Sequence, residues 1–120
     1  MLFKQFLPVY EPKSQTEERF HKSLTELSSE DSFLDVKPRL DKIIQTVTDL
    51  AKLIGAPLGN YLEIPDNYIQ KFMIQCKTEL KGNADIALIL LKDVLGTIEN
   101  YLDLIKKMYN EHEYKDYKIN

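Results

Sequence analysis

Few side chains in this sequence are placed so that they could do chemistry together. The two histidines, His21 and His112, are far apart in the chain, and Cys76 is the single cysteine. His112 lies between Glu111 and Glu113, but consecutive residues of a helix point about 100° apart and cannot converge on one ion. We therefore expect no metal site and no cofactor, and we interpret His21 as a surface or boundary residue.

Cys76 is more simply explained as a core residue than as a nucleophile. A reactive thiolate needs a nearby base or the start of a helix, whereas Cys76 falls on an apolar stripe in the second half of its predicted helix. The sequence also lacks an H-E-x-x-H motif and a strand followed by a glycine-rich loop and a helix. We expect a protein without enzymatic activity.

The charge balance disfavours nucleic acid as a partner. The chain has 16 basic and 19 acidic residues, so its formal net charge is −3, and no segment is a basic tract of the kind that binds phosphates. No window approaches the roughly 18 uninterrupted apolar residues of a membrane-spanning helix. These features predict a soluble cytoplasmic protein with no transmembrane segment.

Beyond residue 16 the apolar residues recur with a period of 3.6, which is typical of amphipathic helices. Gly55 and Gly82 follow apolar stripes and are natural helix stops, whereas Gly96 lies inside the last stripe and could kink or break that helix. The pattern predicts four helices, over residues 15–28, 36–54, 67–81 and 84–112.

Polar residues at the expected helix starts predict the caps. Ser14 followed by Glu17 fits a capping box, in which each residue satisfies a backbone amide of the other. Asp35, Asp66 and Asn83 precede the other three predicted helices and are of the residue types that cap helices well.

The predicted fold class is all-α, a four-helix antiparallel bundle with an irregular N-terminal arm and a long C-terminal helix. Prolines at positions 8 and 12 prevent a regular helix near the start, and the end of the chain is polar. We therefore divide the chain into an apolar arm over 1–13, a helical bundle over 14–112 and a flexible tail over 113–120.

The stretch ADIALILLKDVLG, residues 84–96, is apolar on more than one helical face. Ile86 and Ile89 interrupt the side that should be polar, so they require a cover. The arm, the segment 58–64 and a second protein are the three candidates for that cover. The candidate interaction surface comprises Ile86, Ile89, Leu58, Tyr61, Leu62, Phe3 and Phe6.

These observations favour a non-enzymatic protein–protein interaction module, such as an adaptor, a chaperone or a small helical inhibitor or immunity-type protein. Its partner would be another protein or a second copy of the chain, because large exposed apolar patches are uncommon on monomers. The alternative is a binding protein for a small apolar ligand or a lipid, which would use the bundle interior or the 58–64 segment.

Overall fold

Helices make up almost all of the described chain. A computed structural model describes residues 14–55 and 57–119, with side chains described as far as Glu111. No strand occurs in these two ranges, in agreement with the predicted all-α class. The helices are α1 (Gln15–Ser28), a 3-10 segment (Asp31–Val36), α2 (Lys37–Ile54), α3 (Leu58–Tyr61), α4 (Glu63–Thr78) and α5 (Ala84–Ile119).

The first helix has the predicted bounds and the predicted cap. The Ser14 hydroxyl oxygen accepts a hydrogen bond from the Glu17 amide at 3.1 Å. Ser14 itself has an extended backbone, as an N-cap residue should. The helix therefore begins where its sequence first offers a side chain to replace the missing backbone partner.

The predicted cap of the second helix was wrong. Asp35 lies inside the 3-10 segment, and Val36 occupies the N-cap position of α2 without a side-chain hydrogen bond. The 3-10 segment runs directly into α2, so the chain is already helical where α2 begins. Pro38 fits the first turn of α2 because its missing amide is not needed there.

The predicted start of the helix at residue 67 was also wrong. The segment after Gly55 forms α3, and α4 begins at Glu63 with Leu62 as its N-cap residue. Pro65 does not prevent this early start, because a proline in the first turn loses no helical hydrogen bond. Asp66, predicted as a cap, instead lies in the first turn of α4 and is fully buried.

The last helix is continuous through Gly96, so the possible break at that residue does not occur. The Asn83 side chain accepts a long hydrogen bond of 3.4 Å from the Ile86 amide, consistent with its predicted capping role. The backbone stays helical to Ile119, so the helix end predicted near 112 was wrong. Its 36 residues correspond to about 54 Å at 1.5 Å per residue, close to the 57 Å long axis of the molecule.

Two antiparallel hairpins form the bundle, α1 with α2 and α4 with α5. Contacts join α1 to α2 and α4, and join α5 to α2 and α4. Two hydrogen bonds show the relative direction of α1 and α4: one joins Arg19 to Asp66, and the other joins Ser23 to Gln70. In each helix the second partner lies four residues after the first. These two helices therefore run in the same direction, and the short α3 crosses the end of the bundle between the hairpins.

The helix α3 closes one end of the core. It contacts α1, α2 and α4, and both its first residue, Leu58, and the residue that follows it, Leu62, are completely buried. The segment after Gly55 is therefore a lid over this end of the bundle. The other fully buried large apolar side chains are Phe20, Leu24, Leu40, Ile69, Phe72, Leu91, Leu95, Ile98 and Leu102.

Candidate interaction surface

The structure separates the candidate residues into core and surface. Leu58 and Leu62 are 0% exposed and belong to the core, so they cannot contribute to a surface without opening the bundle. Tyr61 is 37% exposed. Phe3 and Phe6 lie outside the described residues.

Ile86 and Ile89 are 45% and 68% exposed at the start of α5. The 58–64 segment cannot cover them, because it lies at the other end of the bundle. Tyr61 shares a groove with Met108, whereas Ala87, beside Ile86, shares a cleft with residues of the α4–α5 turn. Fifteen or more residues of helix separate these two ends, which is over about 20 Å.

A second apolar series runs along α5, beside the residues that it buries in the core. From Leu90 to Met108 its members are spaced alternately by four and three residues, the spacing of a helical packing seam. Leu104 and Met108 are 51% and 49% exposed, and the intervening members are partly buried except for the exposed Thr97. We call this series the α5 flank: Ile86, Leu90, Val94, Thr97, Tyr101, Leu104 and Met108.

The α5 flank lies on the side of α5 opposite its ion pair with α2, at the edge next to α4. Glu99 pairs with Arg39 of α2 and, at 100° per residue, points about 180° away from the middle of the flank. On α4, Asp66 and Gln70 make hydrogen bonds to α1, and Tyr68 lies on the opposite side of the helix. Tyr68 is 44% exposed and extends the apolar surface of the flank onto α4.

Sequence reasoning did not single out Leu104 and Met108. Both lie beside the row of residues that α5 buries in the core, rather than on it. The signal that could have revealed them is the continuous alternation of four and three residues from Leu90 onwards. Ile89, which was singled out, lies about 100° from Leu90 and is not part of the series.

A groove of about 490 Å³ lies at the end of the bundle that α3 closes, beside the C-terminal end of the α5 flank at Met108. Its lining contains no charged side chain. The lining residues come from the end of α2, from α3 and its approach, and from α5: Leu53, Ile54, Pro57, Tyr61, Ile105, Met108 and Tyr109.

A second cleft of about 350 Å³ lies at the opposite end, where α4 turns into α5. Phe33 and Phe72, whose ring centroids are 6.0 Å apart, form part of its wall. We call it the hairpin cleft. Its other apolar lining residues are Leu27, Met73, Leu80 and Ala87, and Cys76 also faces it.

The hairpin cleft does not bring Cys76 and His21 together. Burial raises the pKa of the Cys76 thiol, which disfavours the reactive thiolate. Burial also lowers the pKa of His21, and His21 is not among the described residues that line the hairpin cleft. Within the described ranges, no group of three potential ligands could hold a metal ion.

Two arginine–carboxylate pairs join helices to one another. Arg19 donates to the fully buried Asp66 carboxylate, with 2.8 Å from Nε to Oδ2. Arg39 donates to both carboxylate oxygens of Glu99, at 3.0 and 2.6 Å. The hydrogen bond and negative charge of Asp66 raise the pKa of Arg19. Both pairs therefore act as cross-links between helices, α1 to α4 and α2 to α5.

Comparison with known proteins provides no family for this arrangement. No protein-family model, curated protein or solved structure matches the chain. Over the described part of the chain, no helix is both long and apolar enough to cross a membrane.

Proposed function

We propose that the protein is a non-enzymatic protein-interaction module, and that its α5 flank binds an apolar helical face of another chain. The observation that supports this proposal most is the half exposure of Leu104 and Met108 on a series that is apolar except for Thr97. Contiguous exposed apolar surface is uncommon on proteins without a partner.

The spacing of the α5 flank supports a helix as the element that binds there. Side chains alternating at four and three residues form a straight row along a helix and pack into the holes of a facing helix. From Leu90 to Met108 the flank contains no charged residue. A partner helix could therefore cover it without removing a charge from water, which is costly.

The ion pairs of two carboxylates, Asp66 and Glu99, support the non-enzymatic part of the proposal. The Asp66 carboxylate is engaged by Arg19, and Glu99 is engaged by Arg39. A general acid or base must reach a substrate, whereas these carboxylates are held in contacts between helices.

The experiment is quantitative co-purification with tagged protein, comparing Leu104→Lys with Ile74→Lys. Ile74 is 60% exposed on α4 and lies outside the flank and both cavities, so it controls for an added charge at an exposed apolar position. We expect Leu104→Lys to lose a protein that both the unmodified chain and Ile74→Lys retain. Equal retention by the two variants, with circular dichroism showing both folded, contradicts the proposal.

The hairpin cleft supports a second candidate function, the binding of a small apolar ligand. Its volume of about 350 Å³ is within the range of small-molecule pockets. The test is a fluorescence titration with N-phenyl-1-naphthylamine, using Met73→Lys in the cleft and Ile74→Lys, one residue further, outside it. Binding that Met73→Lys weakens and Ile74→Lys preserves favours this function, and binding unaffected by Met73→Lys excludes this cleft as the site.

A further inference from the structure

We infer that the partner of the α5 flank is a second copy of this chain, with the two α5 helices packed antiparallel and centred near residue 99. This inference rests on the proposed function and specifies its partner. It commits to a geometry, and that geometry assigns a facing residue to each member of the flank from Leu90 to Met108.

The spacing of the flank is self-complementary when one copy of α5 is reversed. In an antiparallel pair centred on residue 99, residues equally far from the centre face each other. Each apolar member from Leu90 to Met108 then faces another member of the flank. No charged residue interrupts the row. The facing pairs are Leu90 with Met108, Val94 with Leu104, and Thr97 with Tyr101, each formed twice.

The charges beside the flank favour the antiparallel direction. Asp93 and Lys107 are exposed and lie equally far from Asn100 along the same edge of the flank. Reversing one copy about residue 99 therefore places Asp93 of each copy about 3 Å along the axis from the level of Lys107 of the other, on the same edge. A parallel pair in register would instead place like charges at the same height, which is unfavourable.

The apolar surface of α4 adds to the contact. Tyr68 and Ile64 are 44% and 54% exposed, and both lie on the side of α4 away from its hydrogen bonds with α1. A second α5 helix that packs on the flank lies along this side of α4, so it covers these two side chains as well. The resulting assembly has one two-fold axis, the commonest symmetry of protein dimers.

Sedimentation velocity over a range of protein concentrations tests the dimer and its location. We expect the unmodified chain and Ile89→Lys to sediment at twice the mass of the chain, because Ile89 is off the flank. Leu104→Lys should raise the dimer dissociation constant at least about tenfold, since both copies lose a buried leucine and gain a charge there. Met108→Lys is the second variant, used if circular dichroism shows that Leu104→Lys is unfolded.

A charge exchange tests the direction of the two helices. Asp93→Lys and Lys107→Asp should each weaken the dimer, because each places like charges together in the antiparallel pair. Combining both substitutions in one chain should restore the dimer, because the exchanged charges again face each other. If both single variants weaken the dimer and the double variant does not restore it, the antiparallel geometry is contradicted.

The possible failures are distinguishable. A chain that remains monomeric at a few hundred micromolar overturns the dimer, as does a dimer that Leu104→Lys and Met108→Lys leave intact. If the chain is monomeric but Leu104→Lys still loses a co-purifying protein, the dimer fails and the proposed function stands. If neither self-association nor any other protein binding depends on the flank, both fail.

Discussion

Gly59 is the position at which one methyl group should affect stability most clearly. It lies in α3 against the start of α1, and a Cβ atom added there would be 2.7 Å from the Ser14 Cβ and would overlap the Ser14 hydroxyl. Ser14 is the N-cap of α1. Gly59→Ala therefore requires the cap residue or α3 to move.

The expected loss combines two effects and is reduced by a third. Displacing a serine N-cap costs about 0.5–2 kcal/mol, and overpacking a closely packed contact costs about 1–3 kcal/mol. Replacing glycine by alanine in a helix recovers at most about 1 kcal/mol. We expect Gly59→Ala to lower the free energy of unfolding by about 1–3 kcal/mol in total.

Urea unfolding followed by circular dichroism measures this loss, with Gly96→Ala as the matched control. Gly96 lies within α5, and an added Cβ would have its nearest neighbour, the Arg39 Nη2 atom, at 4.0 Å. Gly96→Ala should therefore raise stability by about 0.5–1 kcal/mol through its helix preference alone. Both variants should keep the m-value of the unmodified chain.

A double-mutant cycle decides whether the contact with Ser14 is the cause. Ser14→Gly removes the atoms that would clash, and glycine at an N-cap costs only a few tenths of a kcal/mol. In that background Gly59→Ala should become nearly neutral. An unchanged loss in the Ser14→Gly background, or a Gly59→Ala variant as stable as the unmodified chain, would refute the reasoning.

Three further predictions concern individual titratable groups. Because burial raises the pKa of Cys76, its thiol should react with Ellman's reagent at pH 8 more slowly in the folded chain than in urea; equal rates would contradict this. Burial lowers the pKa of His21 below 6.5, so this group should not affect stability above pH 6.5. Below pH 6.5 the unfolded chain takes up the proton more readily, and stability should fall. Urea titrations at several pH values should show a smaller fall for His21→Gln. Arg39→Lys loses one of the two hydrogen bonds to Glu99 and should lower the free energy of unfolding by about 0.5–1 kcal/mol. This loss of stability should be smaller in 0.5 M salt. A larger loss in salt would contradict its electrostatic origin.

The sequence predicts the helical elements well where periodicity and caps agree. The bounds of α1 follow from Ser14, Glu17 and the apolar stripe, and the structure has the same bounds. The start of α4 could not be predicted in this way, because Pro65 and Asp66 resemble a helix start. A proline is equally acceptable a few residues inside a helix start, so the local signal has two interpretations.

The candidate surface was only partly predictable for a related reason. Periodicity identifies which residues share a face, but it does not tell how many neighbours surround a helix. Ile86 and Ile89 were expected to need a cover and are exposed in the described structure. Leu58 and Leu62 were candidates for the same surface, yet α3 places both in the core.

The sequence by itself determined the all-α class, the long last helix and the apolar stripes, because these follow from local spacing and capping. Only the tertiary structure decided which helices are neighbours, because the crossing of α3 sets α1 beside α4 and α2 beside α5. Among the described residues, that arrangement places no further helix on the side of α5 next to α4. The exposure of Leu104 and Met108 is therefore a consequence of how the hairpins pack, which no local pattern contains.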